Sequence, residues 1–136
     1  MADITPSATA IMVVESFEQC TLPAAEAIAP GQAVRIDTSN GRFTLANATT
    51  AAEARVYGVA VGSHNIPAGY PVTAIRRGVL AGYTLNGGYD AAVYLSNNDG
   101  ALADAAGTVS TPVGRVLPAT ASTLGSAASK LLLLHL

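Results

Sequence analysis

The sequence predicts a mainly β fold, a small β-barrel or sandwich of about six to eight short strands with an extended N-terminal arm. The first observation is a series of short apolar runs between residues 28 and 95, separated by glycine-centred turns. Turn signals about every 8–12 residues are typical of all-β barrels and sandwiches. The second observation is the length of 136 residues, which fits a single domain with its own core.

The first 22 residues differ in composition from the remainder, so we divide the chain into an N-terminal arm (residues 1–22) and a β-barrel-like domain (residues 23–136). Residues 11–14 are a short β-prone run that fits either an extended arm or a strand of the barrel itself. The arm is more apolar than a solvated tail, and such a segment can become ordered on a partner. The predicted contacts with a partner or a neighbouring subunit are Ile11, Met12, Val13, Val14 and Phe17.

A β-hairpin is the clearest local prediction. Residues 34–37 and 42–45 alternate between apolar and polar side chains, which is the pattern of half-buried strands. Asn40 and Gly41 lie between these two runs and adopt positive φ at little cost, as a tight turn requires.

The remaining strands follow in order, and Gly58 within one of them predicts a bulge or a close backbone approach. Four leucines at 131–134 do not alternate, which indicates a strand buried on both faces or one covered by a partner, and we favour the first. The predicted strands are residues 56–61, 72–80, 91–95, 111–117 and 130–136. The predicted core residues are Val34, Ile36, Phe43, Val59, Val61, Val93 and Leu95.

Composition excludes several classes of function. Charged residues are only 12% of the chain, against about 25% in ordinary soluble domains, which suggests that part of the surface meets another protein. A net charge of −2 provides no basic stripe for nucleic acid, and no apolar run approaches the ~20 residues that span a bilayer. We expect no signal peptide, and the single cysteine, Cys20, fits a reducing compartment.

The sequence shows no constellation of catalytic, cofactor-binding or metal-ligating residues, so we expect no enzyme, no cofactor and no metal. His64 and His135 lack partners at metal-ligand spacing, and Ser63 beside His64 lacks the third group of a triad. Residues 97–100 faintly resemble a calcium loop but lack its alternating carboxylates, which favours a tight turn.

Arg76 and Arg77 are the only adjacent basic pair. Because neighbours in a strand point to opposite faces, one of the two is a candidate contact with a partner. The alternative is two solvated residues that discourage wrong pairing at a sheet edge.

Several segments, in order and spacing, resemble a family of bacteriophage capsid cement, or head decoration, proteins. The resemblance covers roughly residues 25–136 and leaves the arm outside. The matching segments are residues 29–37, 56–61, 71–79, 93–96, 100–104, 113–117 and 131–134.

The resemblance implies a non-enzymatic structural protein on the outer surface of an icosahedral phage head, which stabilises the lattice of the major capsid protein. It implies a homotrimer, with a dimer as the alternative, made in the host cytoplasm and carried on the virion. The alternative function is a binding module of a phage fibre or cell-surface protein, for a carbohydrate or protein ligand. The absence of tryptophan weighs against carbohydrate.

Overall fold

The computed structural model describes residues 2–6, 10–118 and 130–136. Over these residues the chain forms eleven β-strands in one curled, open sheet, a half-barrel, which confirms the predicted mainly β fold. Every ladder between named strands is antiparallel. The strands are β1 (Asp3–Pro6), β2 (Met12–Pro23), β3 (Ala33–Ile36), β4 (Phe43–Leu45), β5 (Val56–Val61), β6 (Pro71–Ala81), β7 (Tyr83–Thr84), β8 (Ala92–Leu95), β9 (Leu102–Ala103), β10 (Pro112–Pro118) and β11 (Lys130–His135).

The strand count exceeds the predicted six to eight for two reasons. The strands β7 and β9 have two residues each, too short to produce a periodic pattern. The other additions, β1 and β2, lie in the predicted arm apart from the last residue of β2, and both strands are paired with the sheet. Residues 12–14 therefore belong to a strand, one of the two interpretations that the sequence left open.

The central strand of the sheet is β6. One of its edges pairs with β2 from Met12 to Pro23. The other edge pairs first with β5, through residues 73–75, and then with β11, through residues 77–80. Because β6 pairs with β2, β5 and β11, it joins the two halves of the sheet.

Side chains of the sheet alternate between two apolar clusters. On β5, Val59 packs into the larger cluster and Ala60 into the smaller one on the opposite face. On β6, Ile75 and Ala74 alternate in the same way. Phe43 is the largest side chain of the smaller cluster and has no exposed surface. Both faces of this part of the sheet are therefore buried within one chain.

The four leucines of β11 are buried on both faces, as predicted. Leu132 and Leu134 join the larger cluster, while Leu131 and the partly buried Leu133 pack into a third cluster on the other side. Because β10 and β6 flank β11, its backbone groups are paired along both edges. This explains why a strand with no polar face is stable in the interior.

The predicted core is confirmed with one error. Val34, Phe43, Val59, Val93 and Leu95 are buried, and Val61 is partly buried against the larger cluster. Ile36 is 43% exposed, so its assignment to the core was wrong. The physical reason is its position: Ile36 is the last residue of β3 and lies beyond the last β3–β5 pair, Arg35 and Val56, so β5 does not flank it.

Gly58 marks a close backbone approach, as predicted. A Cβ atom at this position would lie 2.3 Å from the carbonyl oxygen of Ile75, on the neighbouring strand. Any larger residue would separate β5 from β6, which explains the glycine in the middle of an otherwise apolar strand.

The buried phenol of Tyr83 leads to a prediction about alkaline stability. Its hydroxyl donates a 2.7 Å hydrogen bond to the carbonyl oxygen of Gly31, and burial raises the pKa of Tyr83. The folded chain keeps this proton at pH values where the unfolded chain, with a tyrosine pKa of about 10, loses it. The stability that Tyr83 contributes is therefore complete below pH ~10 and declines as the pH rises further.

Urea unfolding at pH 8 and pH 11 measures this effect. We expect the Tyr83→Phe variant to lose less stability over this interval than the wild-type chain, because phenylalanine has no proton to release. The control is Tyr70→Phe, which changes an exposed tyrosine and should lose as much as the wild type. Equal losses in all three proteins would show that Tyr83 does not control alkaline stability.

Candidate functional site

The residues singled out for possible chemistry lie apart. His64 is in the loop after β5, where its Nδ1 contacts the carbonyl oxygen of Asn65 at 3.0 Å, and His135 ends β11. Over the described part of the chain, no group of three His, Cys, Asp or Glu side chains is placed to hold a metal ion. The same residues contain no helix long and apolar enough to cross a membrane.

The turn at residues 97–100 uses its polar groups for its own structure. Gly100 has a φ of +73°, a left-handed backbone conformation that favours glycine. The Asn98 Nδ2 donates to Asp3 at 2.6 Å, and the Ser96 hydroxyl donates to the other oxygen of the same carboxylate at 2.6 Å. These bonds tie β1 to the loop after β8, while the Ala101 N–H donates to the carbonyl oxygen of Asn98 at 3.1 Å and closes the predicted turn.

The strand β2 is the most unusual surface among the described residues. It is twelve residues long and pairs only with β6, so its outer edge carries no neighbouring strand in the part of the chain that the structure describes. Met12 is 48% exposed and Phe17 is 69% exposed, and Val13 lies beside them. An unpaired edge with large apolar side chains is a template for binding another chain. We call Met12, Val13 and Phe17 the β2 surface.

Irregular pairing between β2 and β6 produces this exposure. The register shifts three times, and Val14 and Phe17 are residues of β2 without an opposite partner on β6. On β6, Arg76 is passed over in the same way, between Arg77 and Ile75. Because β-bulges redirect side chains and increase the local twist, they present Phe17 and Arg76 while making indiscriminate edge pairing harder.

Arg76 connects the β2 surface to the smaller core cluster. Its Nη1 lies 3.1 Å from an oxygen of Glu18, and its guanidinium lies 5.9 Å from the ring centre of Tyr57. The Tyr57 ring in turn lies 5.4 Å from the ring of Phe43. Since both charged side chains are 44% exposed, the ion pair contributes only about 0–1 kcal/mol and can open at little cost.

The environment of Tyr57 keeps its hydroxyl protonated. Burial is the main cause that raises the pKa of Tyr57, the nearby Cys20 and Glu18 raise it further, and Arg76 opposes them. A protonated phenol is a hydrogen-bond donor beside the cation of Arg76. This part of the surface therefore presents a hydrogen-bond donor beside a positive charge.

The other predicted contact residues lie in different surroundings. Arg77 donates from its Nε to the carbonyl oxygen of Leu136 at 2.9 Å, which ties β6 to the end of the chain. Ile11 packs against the larger core cluster and Val14 against the third cluster. The structure thus brings Met12, Val13 and Phe17 to one exposed strand, and it places Ile11 and Val14 partly inside.

Sequence reasoning missed Glu18 and Tyr57, which hold Arg76. The β2–β6 register shift passes over Arg76, which lies beside these two side chains. The alternation of apolar and polar residues along either strand does not indicate such a shift. The exposed apolar character of the arm was the available signal, and it identified Phe17.

No protein-family model, curated protein or solved structure matches this chain. The fold and the site define an all-β domain with an open sheet and an exposed apolar edge strand.

Proposed function

We propose that this chain is a non-enzymatic capsid cement protein, which binds the outer surface of an icosahedral phage head and stabilises the major capsid lattice. The observation that carries the proposal is the unpaired outer edge of β2 with the exposed Phe17. A domain that exposes such an edge in isolation is suited to cover it against a partner. The resemblance to phage decoration proteins supports the major capsid protein as this partner.

Binding at this edge uses the backbone and the side chains together. A strand or extended loop of the capsid subunit pairs with the free N–H and C=O groups of β2, as in other β-augmented complexes. The β2 surface then supplies apolar anchors, which are the groups that dominate interface energies. The sparse charge of the chain, 12% of its residues, reduces the desolvation cost of such a contact.

Stabilisation of the head follows from mass action. A protein that binds the assembled lattice and not its separated subunits shifts the equilibrium towards the lattice. In a homotrimer, three attachments act at a high effective concentration, so contacts that are weak singly hold together. We propose this trimer, located on the virion after synthesis in the host cytoplasm. Light scattering and imaging of decorated heads measure the oligomer, and a monomer in both settings contradicts it.

The Phe17→Ser variant separates binding from folding. Phe17 is 69% exposed, so its replacement should change the free energy of unfolding by less than about 0.5 kcal/mol. If Phe17 anchors the interface, the same change should weaken binding to heads by about 2 kcal/mol or more, roughly thirty-fold. Co-sedimentation with heads assembled from the major capsid protein encoded in the same genome measures the affinity.

The matched control is Tyr89→Ser, which removes a 51% exposed aromatic ring in the loop between β7 and β8. This variant should bind heads as the wild type does. Equal binding by Phe17→Ser and wild-type chains would remove the β2 surface from the proposed interface.

A further inference from the structure

A cavity of about 620 Å³ opens beside Arg76, outside the β2 surface. Three arginines from three different places in the chain line it: Arg35 of β3, Arg55 just before β5, and Arg76 of β6. The other residues that line it are Ile36, Thr38, Ala52, Val56 and Tyr57. Three guanidinium groups around one open space are unusual in a chain with only seven lysines and arginines.

Two of the residues that line the cavity stand at irregularities of the sheet. The β3–β5 register passes over Tyr57 of β5, and the β2–β6 register passes over Arg76 of β6. Regular alternation would send these side chains to positions set by the strand period. The bulges instead direct both towards the same cavity, which is a known use of β-bulges beside functional sites.

One of the arginines that line the cavity has a hydrogen-bond donor without an acceptor. The Nε atom of Arg35 is buried and has no hydrogen-bond partner among the described residues. Within the same part of the chain, Arg76 pairs with Glu18, while Arg35 and Arg55 have no salt bridge within 4.0 Å. A buried N–H of a cation without an acceptor is costly, and native structures rarely retain one without a reason.

The local charges define which anion fits. Glu18 neutralises Arg76 at 3.1 Å. Arg35 and Arg55 have no such partner among the described residues, so the cavity carries unbalanced positive charge and favours an anion. The apolar side chains of Ile36 and Val56 beside them favour an anion carried on a carbon chain over inorganic phosphate, which is polar on every side.

We propose that the cavity binds a carboxylate group. Arg35 and Arg55 donate to its two oxygens, in the planar geometry that guanidinium and carboxylate groups share. Ile36, Val56 and the Tyr57 ring contact the carbon chain that carries the group. The site belongs to the isolated chain and does not depend on the proposed binding to capsids.

Titration of the purified chain with sodium propionate, against sodium chloride at constant ionic strength, tests the site. The side-chain N–H resonance of Arg35 should shift and saturate, whereas chloride should produce no saturating shift. Arg55→Gln changes an exposed side chain, so it should fold normally and weaken propionate binding at least about tenfold. The control Arg115→Gln removes an exposed arginine paired with Asp90, outside the cavity, and should bind as the wild type does.

Two further titrations identify the source of the carboxylate. A blocked peptide with one glutamate that binds more than about tenfold tighter than propionate indicates a protein side chain as the ligand. Equal affinities indicate a small free carboxylate. The proposal is overturned if inorganic phosphate binds as tightly as propionate, if Arg55→Gln binds propionate normally, or if propionate gives no saturating shift.

Discussion

Replacing Phe43 with alanine is expected to lower the free energy of unfolding by about 3–5 kcal/mol, the range for large aromatic side chains removed from a core. Phe43 has no exposed surface, and it is the largest side chain of the smaller cluster. Its ring also supports Tyr57, at 5.4 Å between ring centres. Urea denaturation of the two purified proteins measures the difference.

The matched control lies directly opposite in the same hairpin. Ile36 is the Cα partner of Phe43 across the β3–β4 ladder, yet it is 43% exposed. Ile36→Ala should therefore cost less than about 1 kcal/mol, because little apolar surface returns to water. Similar losses of unfolding free energy in the two variants would contradict the assignment of Phe43 to the core and Ile36 to the surface.

Replacing Gly114 with alanine is expected to cost at least the upper part of the ~1–3 kcal/mol range for overpacked positions. A Cβ atom at Gly114 would lie 2.0 Å from the backbone carbonyl oxygen of Leu133. Because the obstacle is backbone rather than a flexible side chain, β10 and β11 would have to separate. The buried leucines of β11 would then lose contacts on both faces.

The control for this variant is Gly88→Ala. Gly88 has open space around the position of a Cβ atom, and its φ is not positive. Its substitution should leave the midpoint of thermal unfolding nearly unchanged. A Gly114→Ala protein as stable as Gly88→Ala would show that the two strands do not approach as closely as described.

The fold class could be predicted because its signals are local. Asn40-Gly41 and the flanking alternation specify the β3–β4 hairpin, and the run of four leucines specifies a strand buried on both faces. The error at Ile36 has a different origin. The β3–β5 pairing ends at Arg35, one residue before Ile36, and where two strands stop pairing depends on how they fit together, which the pattern of one strand does not contain.

The same limit applies to the candidate site. The apolar arm predicted an exposed contact, and Phe17 is the most exposed large apolar side chain among those described. The pairing of Arg76 with Glu18, and the convergence of Arg35, Arg55 and Arg76, join segments separated by many residues. Such arrangements depend on tertiary packing, which the hydrophobic periodicity of a single sequence does not indicate.

Binding of the purified chain to assembled heads is the measurement that tests the proposed function most directly. Heads formed by the major capsid protein of the same genome are incubated with increasing amounts of the chain and then sedimented. A cement protein binds saturably to the outer surface, raises the temperature at which heads disrupt, and binds far less well as Phe17→Ser. If the correctly folded chain remains in the supernatant at every concentration, this result contradicts the proposal.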